Sequence, residues 1–567
     1  MKIRKQFVIF SRYGIVSFLS VVGLSINAIT NVALGESRDI SDLSIPVFQE
    51  QAVAAGITHQ YTGDWEYFVG GGGAAFDCNG DRLPDVFFAG GASVAQLYRN
   101  TSIPGGELQF ESVPLDLSEQ ERTGVVGAYA IHLDNDPHLD LVVLRIGQNL
   151  LLRGNGRCGF EQANRDYEFD GGQEWTTGFS ATWEAGAQYP TLAFGNYIDQ
   201  SAPGSPWGTC HDNVLVRALN RLQVKKGELP SYANAIALSP GYCSLSLLFT
   251  DWNNSGVPAL RITNDRQYYR GGQEQLWRLA SGEDPALYST DDGWKELTIW
   301  GMGIAEADIN NDGYPEYALT SMGDNMLQQL DREAVADEPQ YQDIAFVQGT
   351  TAHRPYEGDN SKPSTGWHSE FADFNNDARL DLFIAKGNVS AMEDFASVDP
   401  DNLLMQHPDG GFSEVGHLAR INFPTQGRGA LVADFNVDGL LDLMVINREE
   451  PATVFRNTGL SDNLGRKTSN NWLAIELNDS EGNQQAIGAR LEIITHDLTQ
   501  VRTVSIGGGH SAGTNGFMHV GLGDAERALV RVRWPDGSWG TAYSVDANRH
   551  AVLDRNSSNA TYWNPNQ

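Results

Sequence analysis

Short apolar runs recur along the chain, and many of them follow a loop in which oxygen-bearing side chains alternate with other residues. In one copy, residues 373–381, such side chains stand at positions 1, 3, 5 and 9, and the apolar run 382–385 comes next. A short apolar run bounded by turn residues is typical of a buried β-strand. The pattern therefore predicts a β-hairpin whose turn gathers several oxygen atoms.

Four copies of this loop are complete. Calcium binds about six to eight oxygens at about 2.3–2.6 Å, and alternating acid and amide side chains supply them. A helical calcium-binding loop would need a later bidentate Glu, whereas here position 9 holds the last acid and a strand follows. We predict Ca²⁺ as a mainly structural cofactor with these ligands: Asp77, Asn79, Asp81, Asp85, Asp308, Asn310, Asp312, Glu316, Asp373, Asn375, Asp377, Asp381, Asp434, Asn436, Asp438 and Asp442.

Two further copies are incomplete. The loop at 132–140 begins with His132 instead of an acid. It is either a weak calcium site, a site for a softer metal, or a loop that only keeps its shape. The loop at 251–259 ends with Ala259 where the closing acid belongs. We interpret this second loop as metal-free.

The spacing of the copies indicates a repeat. Consecutive first positions lie 55 to 65 residues apart, and one gap of 119 residues covers two periods, which places a degenerate copy near residues 195–199. Units of about sixty residues with one hairpin signature each are typical of radially repeated four-stranded sheets. The predicted fold is all-β, a seven-bladed β-propeller at residues 36–457, with an open solenoid as the alternative.

After residue 457 the repeat ends. Residues 458–469 are polar and contain glycine, as in a linker, and alternating strands without a calcium loop follow from residue 470. We predict a small C-terminal β-sandwich-like domain at 470–555 and a loose tail at 556–567.

Charge and the N-terminal segment indicate an exported chain. Lys and Arg number 39 against 72 Asp and Glu, which gives a formal charge of −33. Such a surface repels phosphate, so nucleic acid and anionic membranes are unsuitable partners. Residues 1–35 combine a basic start, an apolar stretch and a small-x-small end, as in a signal peptide. We expect a secreted or periplasmic protein without membrane insertion.

The four cysteines fit that compartment, because an even count in an exported chain indicates disulfides. Of the possible connectivities we favour Cys78 with Cys158 and Cys210 with Cys243. The second bond would tie off an insertion rich in proline and glycine.

One motif suggests catalysis. Residues 509–513 read GHSAG, and Ser511, Asp536 and His550 follow the order of a hydrolase triad. A nucleophile elbow, however, joins a strand to a helix beneath a parallel sheet, whereas predicted strands lie on both sides of this motif. We interpret it as a glycine-rich turn and assign no catalytic residue.

Several motifs occur in the order found in a known family. They are FQEQAVAAGITHQY and FVGGGGAAFD near the start, GMGIAEADINNDG in the middle, TGWHSEFADFNNDARLDLFIAKGNV later, and the strands after residue 470. The repeats resemble the FG-GAP/VCBS repeats of integrin-type propellers, and the whole resembles the ASPIC/UnbV (cartilage acidic protein-like) family. The incomplete loops and the insertion between Cys210 and Cys243 depart from the family pattern. The resemblance implies architecture more than activity.

Two functions follow as hypotheses. The first is a binding or adhesion module for a protein or carbohydrate partner. The second is an exported hydrolase or lyase with its active site in the central funnel of the propeller, because fold does not decide function. Convergent acids, histidines or arginines in the funnel that are not calcium ligands would favour the enzyme, whereas small and apolar lining residues would favour binding.

Overall fold

The computed structural model describes residues 38–202, 209–219, 229–265, 272–333, 338–390, 392–461, 467–468, 470–479 and 482–566. The predicted signal peptide at 1–35 lies outside these ranges. Residues Met1–Asp42 and Leu43–Gln567 are two compact units. Of the described residues, 38–42 in the first unit hold the 3₁₀ turn η1 (Ile40–Asp42), and the elements given below belong to the second.

Among the described residues, seven sheets follow one another between residues 48 and 457, six with four strands and one with a fifth strand that comes from after residue 457. The strands within residues 48–457 pair antiparallel with their neighbours in each sheet. The strands are β1 (Phe48–Glu50); β2 (Gly73–Phe76), β3 (Asp85–Phe88), β4 (Gln96–Asn100) and β5 (Phe110–Val113); β6 (Val125–Ile131), β7 (Asp140–Arg145), β8 (Leu150–Gly154) and β9 (Phe160–Gln162); β10 (Thr176–Thr182), β11 (Thr191–Asn196), β12 (Asn213–Arg217) and β13 (Asn234–Leu238); β14 (Ser244–Thr250), β15 (Ala259–Asn264), β16 (Gln275–Arg278) and β17 (Ala286–Leu287); β18 (Gly301–Ala307), β19 (Glu316–Ser321), β20 (Met326–Leu330) and β21 (Tyr341–Asp343); β22 (Gly366–Ala372), β23 (Asp381–Lys386), β24 (Asn402–Gln406) and β25 (Phe412–Glu414); and β26 (Gly427–Ala433), β27 (Asp442–Asn447) and β28 (Thr453–Asn457).

These sheets close into a ring. The innermost strands are β2, β6, β10, β14, β18, β22 and β26; each contacts the next, and β26 contacts β2. Strand β1 pairs with β28, with Phe48 opposite Asn457, and so fastens the start of the ring to its end. Radially repeated four-stranded sheets are the arrangement of a β-propeller. The all-β fold class predicted from the sequence is confirmed.

Helices are few and short. In the part of the chain that the structure describes, they are α1 (Glu119–Arg122), α2 (Ala345–Gln348) and α3 (Gly416–Ala419), with the 3₁₀ turns η2 (Trp65–Tyr67) and η3 (Thr290–Asp292). Within the described ranges, no helix has the length and apolar character needed to cross a membrane.

Two further sheets form a small sandwich-like domain at the C-terminal end. The strands after residue 457 are β29 (Leu460–Ser461), β30 (Lys467–Thr468), β31 (Asn471–Asn478), β32 (Arg490–Ile494), β33 (Thr499–Thr503), β34 (Gly513–Thr514), β35 (Met518–Gly523), β36 (Arg527–Arg533), β37 (Tyr543–Asp546), β38 (Arg549–Asp554) and β39 (Thr561–Trp563), and eight of them build these two sheets. One sheet has the order β35-β31-β38-β39 and the other β33-β32-β36-β37. Apolar side chains of both sheets, including Leu473 and Val530, share one buried core.

The C-terminal end departs from the prediction of a loose tail. Strand β39 pairs antiparallel with β38, and the ring of Trp563 stacks on that of Phe517 with 5.8 Å between centroids. Aromatic side chains near the end of the chain thus extend the sheet. Within the predicted linker, β29 and β30 pair as a short hairpin.

The degenerate repeat lies elsewhere than the predicted residues 195–199. Residues 191–196 form β11, so the turn that corresponds to a calcium loop is 183–190, between β10 and β11. Within it, Glu184 is buried and accepts hydrogen bonds from Arg217 at 2.6 Å and Thr191 at 2.8 Å. Because this turn has no series of acids, its sequence does not show which residues correspond to the positions of a calcium loop.

Both favoured disulfides are present. Cys78–Cys158 joins the first calcium-type loop to the turn between β8 and β9 of the next sheet. Cys210–Cys243 links the segment before β12 to the segment before β14. The predicted pairing is confirmed.

Candidate functional site

The four complete loops occupy equivalent places in the ring. Each connects the innermost strand of a sheet to its second strand, and the acid at position 9 is the first residue of that second strand. Each set of four predicted ligands therefore shares one hairpin turn. Because the inner strands run in the same direction, all four turns lie on the face of the ring that meets the C-terminal domain, as the 2.9 Å pair Arg82–Glu476 illustrates.

The first carboxylate of each loop organises the turn. Asp373 Oδ1 accepts a hydrogen bond from the backbone N–H of Asp377 at 3.0 Å, and Oδ2 accepts one from that of Ala378 at 2.8 Å. Equivalent bonds occur in the loops at 308–316 and 434–442. The protein's own hydrogen bonds therefore preform these turns.

The acid at position 9 ties the turn to the sheet. Asp381 is buried, and its Oδ2 accepts the N–H of Phe374 at 3.2 Å while Oδ1 accepts that of Gln406 on β24 at 3.0 Å. Asp442 makes the corresponding bonds in its own sheet. One carboxylate thus links the loop, the second strand and the third strand.

The donor set of these loops fits a hard cation. Burial, reinforced by neighbouring carboxylates, raises the pKa of Asp85 to about 7 and that of Glu316 to about 8. Asn436 is buried, and its Oδ1 has no hydrogen-bond partner among the described residues. Crowded carboxylates with an unpaired amide oxygen suit Ca²⁺, whose charge would offset their mutual repulsion.

The incomplete loop at 132–140 keeps its turn with other partners. Asp134 accepts a hydrogen bond from the hydroxyl of Tyr167 at 2.8 Å, and Asp140 accepts one from the N–H of Leu133 at 2.9 Å. Burial lowers the pKa of His132, which stands in the place of the first acid. A tyrosine thus uses one of the carboxylates that a metal ion would need.

In the loop at 251–259, an arginine of the C-terminal domain lies where a cation is needed. Arg533 Nη2 lies 2.9 Å from Asp251 Oδ2, and Arg533 Nη1 donates to the carbonyl of Asn254 at 3.2 Å. Arg490 donates to the carbonyl of Gly313 in the next loop at 2.8 Å. A guanidinium therefore supplies to this loop the positive charge that we expect from calcium in the complete loops.

Replacing Arg533 by methionine should destabilise the protein by about 1–2 kcal/mol, because Asp251 would then lie partly buried without a cation. Thermal unfolding with calcium present measures the effect. Arg533→Met combined with Asp251→Asn should cost less than the sum of the single changes. The matched control is Arg531→Met on the same strand, since Arg531 is 44% exposed and its pair with Glu492 should contribute little. Equal losses in Arg533→Met and Arg531→Met would contradict the assignment.

The centre of the ring is filled by residues 505–516, which we call the central segment. They follow β33 and form bridges with Ala181 on β10, Leu248 on β14, Ile304 on β18 and Ala128 on β6. Strand β34, within the segment, pairs parallel with β2. The C-terminal domain therefore fills the channel of the ring with its own backbone.

The central segment fits closely. A Cβ atom on Gly72 would lie 1.9 Å from the carbonyl oxygen of Ser511, and one on Gly127 would lie 2.2 Å from the same atom. Real Cβ atoms do not approach a backbone oxygen this closely. Gly72, just before β2, and Gly127, on β6, therefore leave no room for a side chain.

The GHSAG motif belongs to this segment. Ser511 is buried, and its Oγ donates to the carbonyl of Thr177 at 2.5 Å. Asp536 instead accepts a hydrogen bond from Arg555, and the ring of His550 packs 5.0 Å from that of Trp472. The three residues of the supposed triad thus have separate partners, which agrees with the interpretation of the motif as a turn.

His510 anchors the middle of the segment. Its Nε2 accepts the N–H of Gly70 at 3.0 Å, its own N–H donates to His368 Nδ1 at 3.1 Å, and its ring lies 5.0 Å from that of Trp367. Burial, with the nearby charge of Arg428, lowers the pKa of His510 to about 3. The imidazole is therefore neutral in the folded protein.

Acidification should destabilise the protein through His510. Its ordinary pKa is 6.5, so between pH 6.5 and about 3 the unfolded chain binds a proton that the folded chain does not. This contribution to stability is complete above pH 6.5 and is lost as the pH falls through that window. His510→Gln should be less stable at neutral pH but should lose less stability on acidification, which melting temperatures at a series of pH values would measure. Parallel pH profiles for the two proteins would contradict the prediction.

The other end of the channel is apolar. Met302 and Trp367 stand near the starts of inner strands, whereas the calcium-type loops stand at their ends. With Trp175 and Tyr197 they form one buried cluster drawn from several sheets. The ring is thus filled by backbone from one side and closed by aromatic side chains on the other.

Solved structures resemble this chain at low sequence identity. The structure of BBS1N in complex with ARL6DN covers 75% of this chain and 100% of its own, with 10% identity and a TM-score of 0.40. Trypanosoma rangeli sialidase covers 78% of this chain and 87% of its own, with 8% identity and a TM-score of 0.34.

Family models match two parts of the chain. The FG-GAP-like repeat model matches residues 373–445, which contain two complete loops, and the ASPIC and UnbV model matches residues 479–560. Cartilage acidic protein 1 from Mus musculus and from Homo sapiens is 27% identical over 259 residues, or 45% of this chain, and the chain spans 36% of the length of these curated relatives. The resemblance predicted from the motifs is confirmed. The chain carries FG-GAP-like repeats and an ASPIC and UnbV domain, and it is similar to cartilage acidic protein 1.

Proposed function

We propose that this protein is an exported calcium-binding β-propeller that acts as a binding or adhesion module for a protein or carbohydrate partner. The observation that supports this most is the filled channel, because residues 505–516 occupy the place in which a propeller enzyme would hold its substrate. A partner of this protein would therefore contact an outer face.

Calcium is the proposed cofactor, and its proposed role is structural. Backbone and side chains of the complete loop at 373–381 touch the C-terminal domain: His519 Nε2 lies 2.6 Å from Asn376 Oδ1, and Asn470 donates to the carbonyl of Asn375 at 2.9 Å. An ion held by the loop would keep this contact surface rigid. Calcium would then stabilise the ring and the docking of the domain together.

The proposed compartment and partner follow from charge and disulfides. Two disulfides are consistent with an oxidising exterior. A net charge of −33 disfavours nucleic acid and an anionic membrane surface, and it favours a partner with a basic patch or a neutral glycan. We place the protein outside the cytoplasm, secreted or periplasmic.

The alternative is a hydrolase or lyase with its active site in the central funnel. The central segment occupies the middle of the ring, whereas Glu306, Glu370 and Arg502, the kind of groups that the alternative needs, line a cavity beside that segment. We therefore keep the enzyme as the second candidate and propose binding as the first.

A pull-down of extracellular proteins and a glycan array, each with calcium and with EDTA, would test the proposed function. We expect that a partner is captured and that its capture requires calcium. When exposed residues are conservatively replaced on one face of the protein at a time, capture should be lost only for the face that binds the partner. Capture that persists in EDTA after the protein has lost its calcium would refute the structural role of the ion, and no capture on either platform would refute the binding function.

A further inference from the structure

A cavity of about 830 Å³ lies between the ring and the C-terminal domain. Pockets that hold small molecules in proteins have volumes of about 300–1,000 Å³ and often lie at domain interfaces. The cavity borders residues 501–504, which lead into the central segment, most of the segment itself, and turns of the ring such as Gly80 and Gly313. Its size suits a ligand larger than a few water molecules.

Two inner strands open onto this cavity. All residues of β6, β10, β14 and β26 are buried. In β18 and β22, by contrast, residues 306–307 and 370–371 are only half-buried although they belong to innermost strands. Glu306, Glu370 and Phe371 line the cavity, so their exposure is exposure to its interior.

Neither glutamate belongs to a calcium-type loop, and one of them is held in place. His368 Nδ1 accepts the N–H of His510 at 3.1 Å, so the ring proton stays on Nε2, which lies 3.3 Å from Glu370 Oε2. The side chain of Glu370 is 32% exposed, whereas that of His368 is 3% exposed. A buried histidine thus orients a carboxylate that faces the cavity.

The C-terminal domain provides the complementary wall. Arg502 lines the cavity. Its Nη1 donates to the carbonyl of Val501 and its Nη2 to Gln500 Oε1. Because a guanidinium carries five N–H donors, further donors remain for other partners. Thr503 and Ser505 line the cavity and are exposed. The C-terminal domain therefore contributes donors and hydroxyl groups to the same cavity to which the ring contributes the two glutamates.

The remaining charges of the wall are largely paired. Arg82 and Glu476 form an ion pair at 2.9 Å, and Asp251 is paired with Arg533. Three predicted calcium ligands, Asp77, Asp308 and Asp434, also line the cavity, and Arg490 bonds Asn254 and Gly313. Beyond these groups the lining offers Glu370, the Oε2 atom of Glu306, which has no hydrogen-bond partner among the described residues, one guanidinium, two hydroxyl groups and a phenylalanine. Such a set offers both acceptors and donors to hydroxyl groups and an apolar face to a sugar ring.

We propose that the interdomain cavity binds a small neutral saccharide, with Glu306 and Glu370 accepting from its hydroxyl groups, Arg502, Thr503 and Ser505 bonding the opposite side, and Phe371 packing on its ring. This site goes beyond the proposed function, because it lies inside the molecule and not on an outer face. Since the ligand would contact both the ring and the C-terminal domain, its binding stabilises their association.

Isothermal titration calorimetry of the full-length, calcium-loaded protein with D-glucose, D-galactose, D-mannose, maltose and lactose tests the proposal. At least one of these sugars should bind saturably with a stoichiometry near one, and it should raise the melting temperature. Charged D-glucuronate should bind more weakly than its neutral counterpart. If none of the five sugars binds at millimolar concentration, the proposal is wrong.

Two variants locate the site. Glu370→Gln and Thr503→Val should each weaken binding of that sugar, the first by about tenfold, because a hydrogen bond to a charged group is lost. Thr503 is exposed, so its variant preserves the fold even if Glu370→Gln is unstable. Glu111→Gln on β5, with a side chain that is 64% exposed and outside the cavity, is the matched control and should bind as the parent does.

The outcomes separate this site from the proposed function. Sugar affinity that is unchanged in both Glu370→Gln and Thr503→Val would overturn the cavity site, even if a glycan array shows capture. Capture of a partner by Glu370→Gln, together with loss of sugar binding, would support an outer face for the partner and the cavity for the saccharide.

Discussion

Chelation of calcium by EDTA is expected to lower the melting temperature strongly, and calcium but not magnesium should restore it. The four complete loops crowd buried carboxylates, and a divalent cation offsets their repulsion. An ion at about 100 times its Kd contributes about 2.7 kcal/mol per site, so four sites would contribute about 11 kcal/mol. Magnesium demands near-octahedral geometry and gives up its waters reluctantly, so it should substitute poorly. Scanning calorimetry in calcium, in EDTA and after each ion is added back measures the effect.

A matched pair of variants at position 5 tests which loops are responsible. Asp312→Asn lies in a complete loop and should remove about one site's share of the calcium-dependent stabilisation. Ser255→Ala lies at the same position of the loop that Arg533 compensates, and it should leave the calcium dependence unchanged. A melting curve that does not change on chelation would exclude calcium as a structural cofactor.

Gly72→Ala is expected to loosen the central segment. The added methyl group would lie 1.9 Å from the carbonyl oxygen and 2.3 Å from the carbonyl carbon of Ser511. Because both are backbone atoms, no rotation of a side chain relieves the clash, and overpacking of this kind costs about 1–3 kcal/mol. We expect a lower melting temperature and faster hydrogen exchange in residues 505–516, measured by mass spectrometry.

The control for this variant is Gly366→Ala, at the start of the inner strand β22. The three heavy atoms nearest to its methyl group all belong to side chains, with Asn325 Oδ1 nearest at 3.1 Å. It should therefore cost less and leave the exchange of residues 505–516 unchanged. If the two variants show the same exchange in that segment, the filled channel does not depend on the contact between Gly72 and Ser511.

The hairpins could be predicted because oxygen ligands at fixed spacing require a turn with a strand on either side. The loop at 373–381 lies between β22 and β23 as that pattern requires. The same argument failed at the degenerate copy, because the turn at 183–190 replaces the acid series by one buried pair, Glu184 with Arg217. A pattern of ligand residues thus predicts a repeat only in those copies that still carry the ligand residues.

The groups that join the two domains could not be predicted in this way. Arg533 is one of several charged residues along β36, and only its contact with Asp251 distinguishes it. The run of glycines at 507–509 signals a close approach of backbone, but the sequence does not name the partners, which include Ser180 and Ile304. Contacts between residues that are far apart in the sequence depend on tertiary packing, and a local sequence pattern does not predict them.

The position of the central segment also determines when the protein can finish folding. Strand β1 pairs with β28, and the second partner of β2 is β34, so two of the first strands need partners from near the end of the chain. Contacts of such long sequence separation make folding slow and leave intermediates prone to aggregation. A nascent chain that ends before residue 505 would have an unfilled ring with exposed inner-strand backbone. Truncation of the C-terminal domain should therefore yield an aggregating fragment and not a smaller working propeller.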